Sequence, residues 1–354
     1  MFTRRLMLGM LALGFTGRDD GPLDLEESRA ISALRKLSRW SVRCEPPRDG
    51  HAVQVDLREE GIKDADLNHW IPPLRSLRKL ELAMNDITDA GLASLEGLKS
   101  LRELDLGATE IKGNGLIHLR GLGELRSLGL ASTSIKEGGL GHVRRLVQVR
   151  RLGLGANHLT DEDLKPLAGM PLEELSLSAN PITDQGMTTL LLLPTLRVVR
   201  LCGCQQLTEN GFGTLRGLKG LRCLDVSGSP IGFPELRGIT EITSLEEIDL
   251  SHTEVGDQAL VLLKKLSRLR ALDLTGCDLT DEGLDHLKGL VSLRTLDLSS
   301  TPITEKGLPE LGALTNLHEL RISGTKVGEA CVAKLRARLP SVHISTSEEA
   351  SPNE

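Results

Sequence analysis

The sequence predicts an α/β solenoid, with parallel strands along its concave side and helices along its convex side. Three observations predict it. A segment of the form Leu-x-x-Leu-x-Leu recurs, as at residues 77–82, 101–106, 125–130 and 269–274. Its spacing is nearly constant: repeats begin at residues 52, 77, 101, 125, 149, 172, 196, 221, 245, 269, 293 and 317, twelve in all and mostly 24 residues long. An Ile or Leu usually follows five residues after the segment, then typically Thr-Asp-x-Gly-Leu and two more leucines. Self-similarity at such a period marks a repeat architecture.

Each element follows from this spacing. Alternating apolar residues in the recurring segment give a short strand with one face inward. The Thr-Asp pair is a helix N-cap signal, and leucines such as Leu92, Leu95 and Leu98 then give a helix burying one stripe. A unit this small cannot bury its own apolar face, whereas twelve stacked units bury a continuous core. With strands about 4.8 Å apart, the sheet runs on the order of 55 Å along its arc. The core must be aliphatic, because the 354 residues include four Phe, two Trp and no Tyr. The repeat at 221 has Ile231-Gly232-Phe233-Pro234-Glu235 in place of Thr-Asp, which predicts a short or distorted helix there.

At the turn after each strand one column faces inward: Glu60, Asn85, Thr109, Thr133, Asn157, Asn180, Cys204, Ser229, Thr253, Cys277, Thr301 and Thr325. Short polar side chains there satisfy buried turn backbone. Cys204 and Cys277 are therefore expected to be structural. They sit three repeats apart, roughly 15 Å, too far for a disulfide. Cys202 and Cys223 are out of line on neighbouring strands, and none of the six cysteines has zinc-site spacing, so six free thiols are expected.

The ends differ from the repeats. Arg4-Arg5 precede an apolar run at residues 6–15, with Ala12 and Gly14 small before a possible cut. Residues 1–20 read either as a short signal for export, giving a periplasmic or secreted protein, or as a disordered start of a cytoplasmic one. The run is too short to be a transmembrane anchor. Residues 21–51 are expected to form a helical cap, with Asp24 and Glu27 at capping-box spacing and Ala30, Ile31, Leu34 and Leu37 as its apolar stripe. A lead-in strand is expected at Val42 and Cys44. The repeat domain spans 52–344 and closes on a strand at Val342 and Ile344. Residues 345–354 read as a disordered acidic tail.

The pattern resembles the leucine-rich-repeat superfamily over about residues 52–344. Thr88-Asp89-Ala90-Gly91-Leu92, Thr183-Asp184-Gln185-Gly186-Met187 and Thr280-Asp281-Glu282-Gly283-Leu284 carry the closer likeness. They are similar to the cysteine-containing repeats of F-box-associated proteins, and still more to the 24-residue arrays of bacterial proteins, planctomycete ones especially. The resemblance implies a right-handed horseshoe and protein binding on its concave face, without naming a partner. Two departures matter. F-box proteins carry an N-terminal helical adaptor, and only about 30 residues without F-box-like sequence separate the first segment from the first repeat here. Bacterial repeat-type ubiquitin ligases carry a C-terminal catalytic domain with a nucleophilic Cys, whereas this sequence stops just after its last repeat.

Chemistry signals are scarce. The net charge of −6 disfavours non-specific nucleic-acid binding, so no nucleic-acid partner is expected. HExxH, GxSxG, P-loop and EF-hand patterns are missing from the sequence. His69, His118, His142 and His286 share one helix position and are expected on the solvated convex side, not on a metal. The expectation is a non-catalytic protein-binding module without cofactor or metal. The alternatives are a structural or envelope scaffold, and the substrate-recognition subunit of a ubiquitin-ligase-like assembly.

The concave face carries the candidate site. One outward column reads Asp56, Glu81, Asp105, Gly129, Gly153, Ser176, Arg200, Asp225, Asp249, Asp273, Asp297 and Arg321. The candidate partner-binding residues are its acids, with Arg151, Glu174, Arg200, Glu247 and His252. Carboxylates about 5 Å apart repel and raise one another's pKa. The ladder reads either as an attractor for a basic protein partner or as ordinary repeat choice. Its C-terminal members are expected to be exposed and replaceable without unfolding. Between the acidic ends lies a floor of small residues, among them Ser127, Gly129, Gly153, Gly155, Ser176 and Ser178, rimmed by Arg151 and Glu174. Leu191-Leu192 and Val261-Leu262 read either as exposed association patches or as local packing.

Overall fold

The computed structural model describes residues 25–37, 42–45, 50–135 and 137–346. Fourteen strands form one open sheet whose order follows the chain. The first, Val42–Glu45, runs antiparallel to His51–Asp56, and all later neighbours are parallel. The twelve repeat strands are thus present in unbroken register. Two strands flank them, the antiparallel lead-in and a closing strand, His343–Ser345. Ser345 therefore belongs to the fold and not to a tail, and the Thr346 hydroxyl donates to the Glu329 carboxylate. The rest of the expected tail, 347–354, and the whole expected signal lie outside the described residues.

Leucines at the strand and helix positions of every repeat are almost fully buried, and one apolar cluster runs from Ala30 to Ile344. The N-terminal helix, Leu25–Leu37, closes one end by burying Ala30, Ile31 and Leu34. The expected capping box involves Asp24, which lies outside the described residues. The buried Glu27 carboxylate accepts the Ala52 N–H at 3.0 Å and meets His51 Nδ1 at 2.7 Å, tying the cap to the first repeat strand.

The inward column behaves as its residue types require. Asn180 donates to the Leu154 and Leu177 carbonyls and accepts the N–H groups of Asn157 and Leu159. Thr109, Thr253 and Thr301 each donate to the carbonyl three residues back. Cys204 and Cys277 fill the same place, their thiols facing the Leu177 and Leu250 carbonyls. Burial pushes the Cys204 thiol up to about 11 and raises that of Cys277, so both stay protonated and unreactive at neutral pH. Only Glu60 and Thr325, at the two ends, are half-exposed. All six cysteines hold free thiols.

The outer side is less uniform than the repeat suggests. Most repeats carry α-helices of four to seven residues, such as Asp161–Leu164 and Asp184–Leu190. Three carry only 3-10 turns, Gly91–Leu95, Asn114–Gly121 and Leu308–Ala313. The segment Phe233–Ile239, expected to be short or distorted, is a regular seven-residue helix. Glu235 accepts the Gly232 N–H at 3.0 Å, and Pro234 sits in the first turn, where its missing N–H removes no helical bond.

The Thr-Asp-x-Gly motif is more than a cap. Thr183, Thr208 and Thr280 do accept the N–H two residues on. The aspartate, however, reaches into the following repeat. Asp64, Asp161, Asp184, Asp257 and Asp281 each take the hydroxyl of Thr88, Thr183, Thr208, Thr280 and Thr304 respectively at 2.6 Å, and its N–H as well. The glycine makes room for that carboxylate. A Cβ on Gly91, Gly186, Gly211 or Gly283 would lie 2.2–2.4 Å from the aspartate oxygen of the preceding repeat.

Candidate partner-binding face

Parallel register places the outward column in one line. Asp56, Glu81, Asp105, Gly129, Gly153, Ser176, Arg200, Asp225, Asp249, Asp273, Asp297 and Arg321 are successive partners across the sheet. The alignment expected from spacing is met, and the electrostatics have three features, the second of which corrects the expected exposure of the C-terminal acids.

First, Asp56 and Glu81 are matched by bases, as is Glu103 beside the column, while Asp105 accepts the Gly107 N–H. Arg58 binds both oxygens of Asp56, Lys79 lies 2.6 Å from Glu81, and Arg151 reaches two strands back to Glu103 at 2.8 Å. Second, the C-terminal aspartates are not exposed. Asp225, Asp273 and Asp297 are buried and Asp249 is half-buried. Each accepts the N–H two residues on, from Ser227, Ser251, Thr275 and Ser299, closing the turn after its strand. They serve the backbone as well as the surface, so removing their oxygens would cost stability. Third, the row is not free of cations throughout: Arg321 lies 3.6 Å from Asp297. Asp225, Asp249 and Asp273 form no ion pair among the described residues.

Burial and crowding act on these acids together. Burial, aided by Asp249 and Asp297, pushes the Asp273 carboxyl up to about 6. Burial also raises Asp249 and Glu247. Glu247 lines up with Cys223 on the adjoining strand, whose thiol burial pushes up to about 12. For Asp273 the folded pKa exceeds the unfolded one. Its contribution is thus most favourable below about pH 4 and is lost as pH rises through 6. Asp273→Asn keeps an oxygen for the Thr275 N–H but removes the crowded charge. It is expected to stabilise the protein by up to about 2–3 kcal/mol at pH 7 and to flatten the pH 4–6 slope. Unfolding midpoints against pH check this; parallel curves for both proteins would contradict it.

The middle of the face is the small-residue floor. Gly129 is required there, since a Cβ would fall 2.4 Å from Asp105 Oδ1. Gly153 is not: the nearest atom to its Cβ is 3.7 Å away. Arg151 and Glu174 are register partners but do not bond each other. Arg151 turns back to Glu103 and Glu174 binds Arg200, so the rim charges are held away from the floor. His252 is exposed in the left-handed region at φ 54, beside Gly276, whose Cβ would meet its Nδ1 at 2.5 Å. The exposed row at this turn includes Met84, Ala108, Ser132, Ala156 and Ser300, all with positive φ.

Sequence reading missed the Arg58, Lys79 and Arg321 neutralisation. The signal was present: each base stands two residues from an acid of the same strand or its turn, within side-chain reach. Elsewhere, Leu191 and Leu192 are exposed as one reading had it, whereas Val261 and Leu262 are half-buried and Leu262 packs on the core. Of the shared histidine position, His69 is exposed and His118 is half-buried at 2.5 Å from Glu96. No cluster of three or more metal-ligating side chains occurs among the described residues.

A single-layer sheet with one short helical segment per strand, stacked in chain order, defines a leucine-rich-repeat solenoid. Models described as leucine-rich repeat match residues 75–135, 170–191, 241–264, 266–287 and 292–314. The chain is similar in fold to an internalin from Listeria monocytogenes, solved by crystallography. The TM-score is 0.57 at 22% identity, covering 93% of this chain and 96% of that one. That likeness bears on fold alone. Among curated proteins none matches the chain. In such a solenoid the strands line the concave side.

Proposed function

We propose that the chain is a non-catalytic protein-binding module that docks its partner on the concave sheet face. Leucine-rich-repeat domains generally mediate protein–protein interaction, which supplies the class. The observation that carries the choice of face is the small-residue floor around Gly153, open at its Cβ position and flanked by rim charges that are already paired away from it. A partner backbone can approach the sheet closely there. Beyond it, Asp225, Asp249 and Asp273 accept only uncharged donors among the described residues. A cation from the partner would relieve their mutual repulsion, so the partner's complementary surface is basic over these strands. The Arg4-Arg5 segment supports placing the protein outside the cytoplasm, and no described helix is long and apolar enough to cross a membrane.

The test is a steric plug. A Cβ on Gly153 would make only ordinary contacts, and Trp suits a strand position. The full chain carrying Gly153→Trp should fold with stability within about 0.5 kcal/mol of wild type. It should capture the wild-type protein's partner at least tenfold more weakly.

A further inference from the structure

Positive charge gathers on a different surface, the edge where the helical segments end and the next strands begin. Residues 138–160 contain no Asp or Glu but hold Arg144, Arg145, Arg150 and Arg151, in a chain of net charge −6. Arg151 points over the sheet to Glu103. Arg144 and Arg145 follow the helix Glu137–Val143, are exposed, and form no ion pair among the described residues. Arg126 and Arg150 flank them. Each is held by a guanidinium bond to a turn carbonyl at 3.0 Å, of Gly123 and Val147, which fixes the side chain without cancelling its charge. An open depression of about 740 Å³ is lined by Gly141, Arg144, Arg145, Val147, Lys165 and Pro166. Lys165 is paired with Glu162, and Val147 is 65% exposed, an aliphatic tip beside Arg144 and Arg145. Favourable charge at helix C-termini accounts for a cation per helix end. It does not account for an exposed valine there, nor for arginines pinned on the turns beside it.

We propose that this edge is a peripheral docking site for the anionic phospholipid headgroups of a membrane surface. Two features favour a bilayer over an acidic protein. The depression is wide and open to solvent. A fluid leaflet also brings its phosphates to whatever spacing the arginines present, whereas a protein must match them with fixed carboxylates. Cations that reach the headgroups around an inserted aliphatic tip are the ordinary pattern of interfacial binding. The site is distinct from the sheet face, so a membrane-docked molecule keeps its concave side free.

The experiment is cosedimentation of the full-length protein with vesicles of phosphatidylcholine alone, and with vesicles in which part of it is replaced by phosphatidylglycerol. Binding to the anionic vesicles only is expected, weakening as salt screens the cations. Each surface cation contributes about fivefold to partitioning, so Arg144→Ala with Arg145→Ala should reduce binding about 25-fold. Arg144→Lys with Arg145→Lys should retain most of it. Val147→Asp provides an independent variant, expected to reduce binding at least fivefold, with circular dichroism confirming the fold in each case. Equal sedimentation with both vesicles, none with either, or no response to the folded variants would overturn the proposal. Capture of an acidic protein at this edge without vesicle binding would overturn it too.

Discussion

Asn180→Ala is expected to destabilise the solenoid by about 3–5 kcal/mol, among the largest effects a single side chain has here. Asn180 is 2% exposed and serves two repeats at once. Its amide donates to the carbonyls of Leu154 and Leu177, and its oxygen takes the N–H groups of Asn157 and Leu159. Alanine leaves those two buried N–H groups without their acceptor, and each such group costs about 1–3 kcal/mol. Thr325→Ala, at the half-exposed end of the same column and with one bond to the Ile322 carbonyl, should cost only about 1 kcal/mol. Urea unfolding measures both. An Asn180→Ala loss no larger than that of Thr325→Ala would mean that the column does not bind one repeat to the next.

Gly283→Ala is the second large effect, about 2–4 kcal/mol. The new Cβ would lie 2.2 Å from Asp257 Oδ1 and 3.2 Å from Leu260 Cδ1. Either the helix Asp281–Leu287 moves off its neighbour, or Asp257 gives up the Thr280 hydroxyl and N–H that it holds at 2.6 and 2.9 Å. The gain in helix propensity, about 1 kcal/mol for Ala over Gly, offsets only part of this. Gly97→Ala is the control, since nothing lies within 4 Å of its Cβ, and it should change stability by less than about 0.5 kcal/mol. Thermal unfolding of the two variants side by side distinguishes the clash from the general effect of adding a methyl group. Equal behaviour would contradict the cross-repeat reading of the motif.

These two sites also show where sequence reading reaches its limit. The strand positions, the inward column and the core were legible because each is set by a period: Leu at fixed intervals, and Asn, Thr or Cys where a turn must be closed. Asn180 and Cys204 could be placed without coordinates for that reason. Thr-Asp-x-Gly was legible only in part. Within one repeat it looks like a cap, and only the stacking brings Asp257 against Gly283 and Thr280 of the next. The concave acids were misjudged for a related reason. Alternation correctly placed Asp225 and Asp273 on the outward face, but outward is not the same as exposed. On a sheet whose strands are three residues long, the following turn folds its N–H groups back onto the carboxylate, and the flanking strands take away solvent. Charge neutralisation by Arg58 and Lys79 depends on rotamers, which no period encodes.

Headgroup docking at the basic edge around Arg144 and partner docking on the sheet face around Gly153 are separate proposals. They fail independently: loss of vesicle binding in the arginine variants leaves the concave reading intact, and the reverse also holds.

Docking of the partner on the concave sheet is tested by the dissociation constant of the captured partner for the wild-type chain and for Gly153→Trp. The account predicts at least a tenfold loss, about 1.4 kcal/mol, with an unchanged unfolding midpoint. An unchanged dissociation constant for a folded Gly153→Trp protein would contradict it, because no partner backbone could then lie on the floor that Gly153 leaves open.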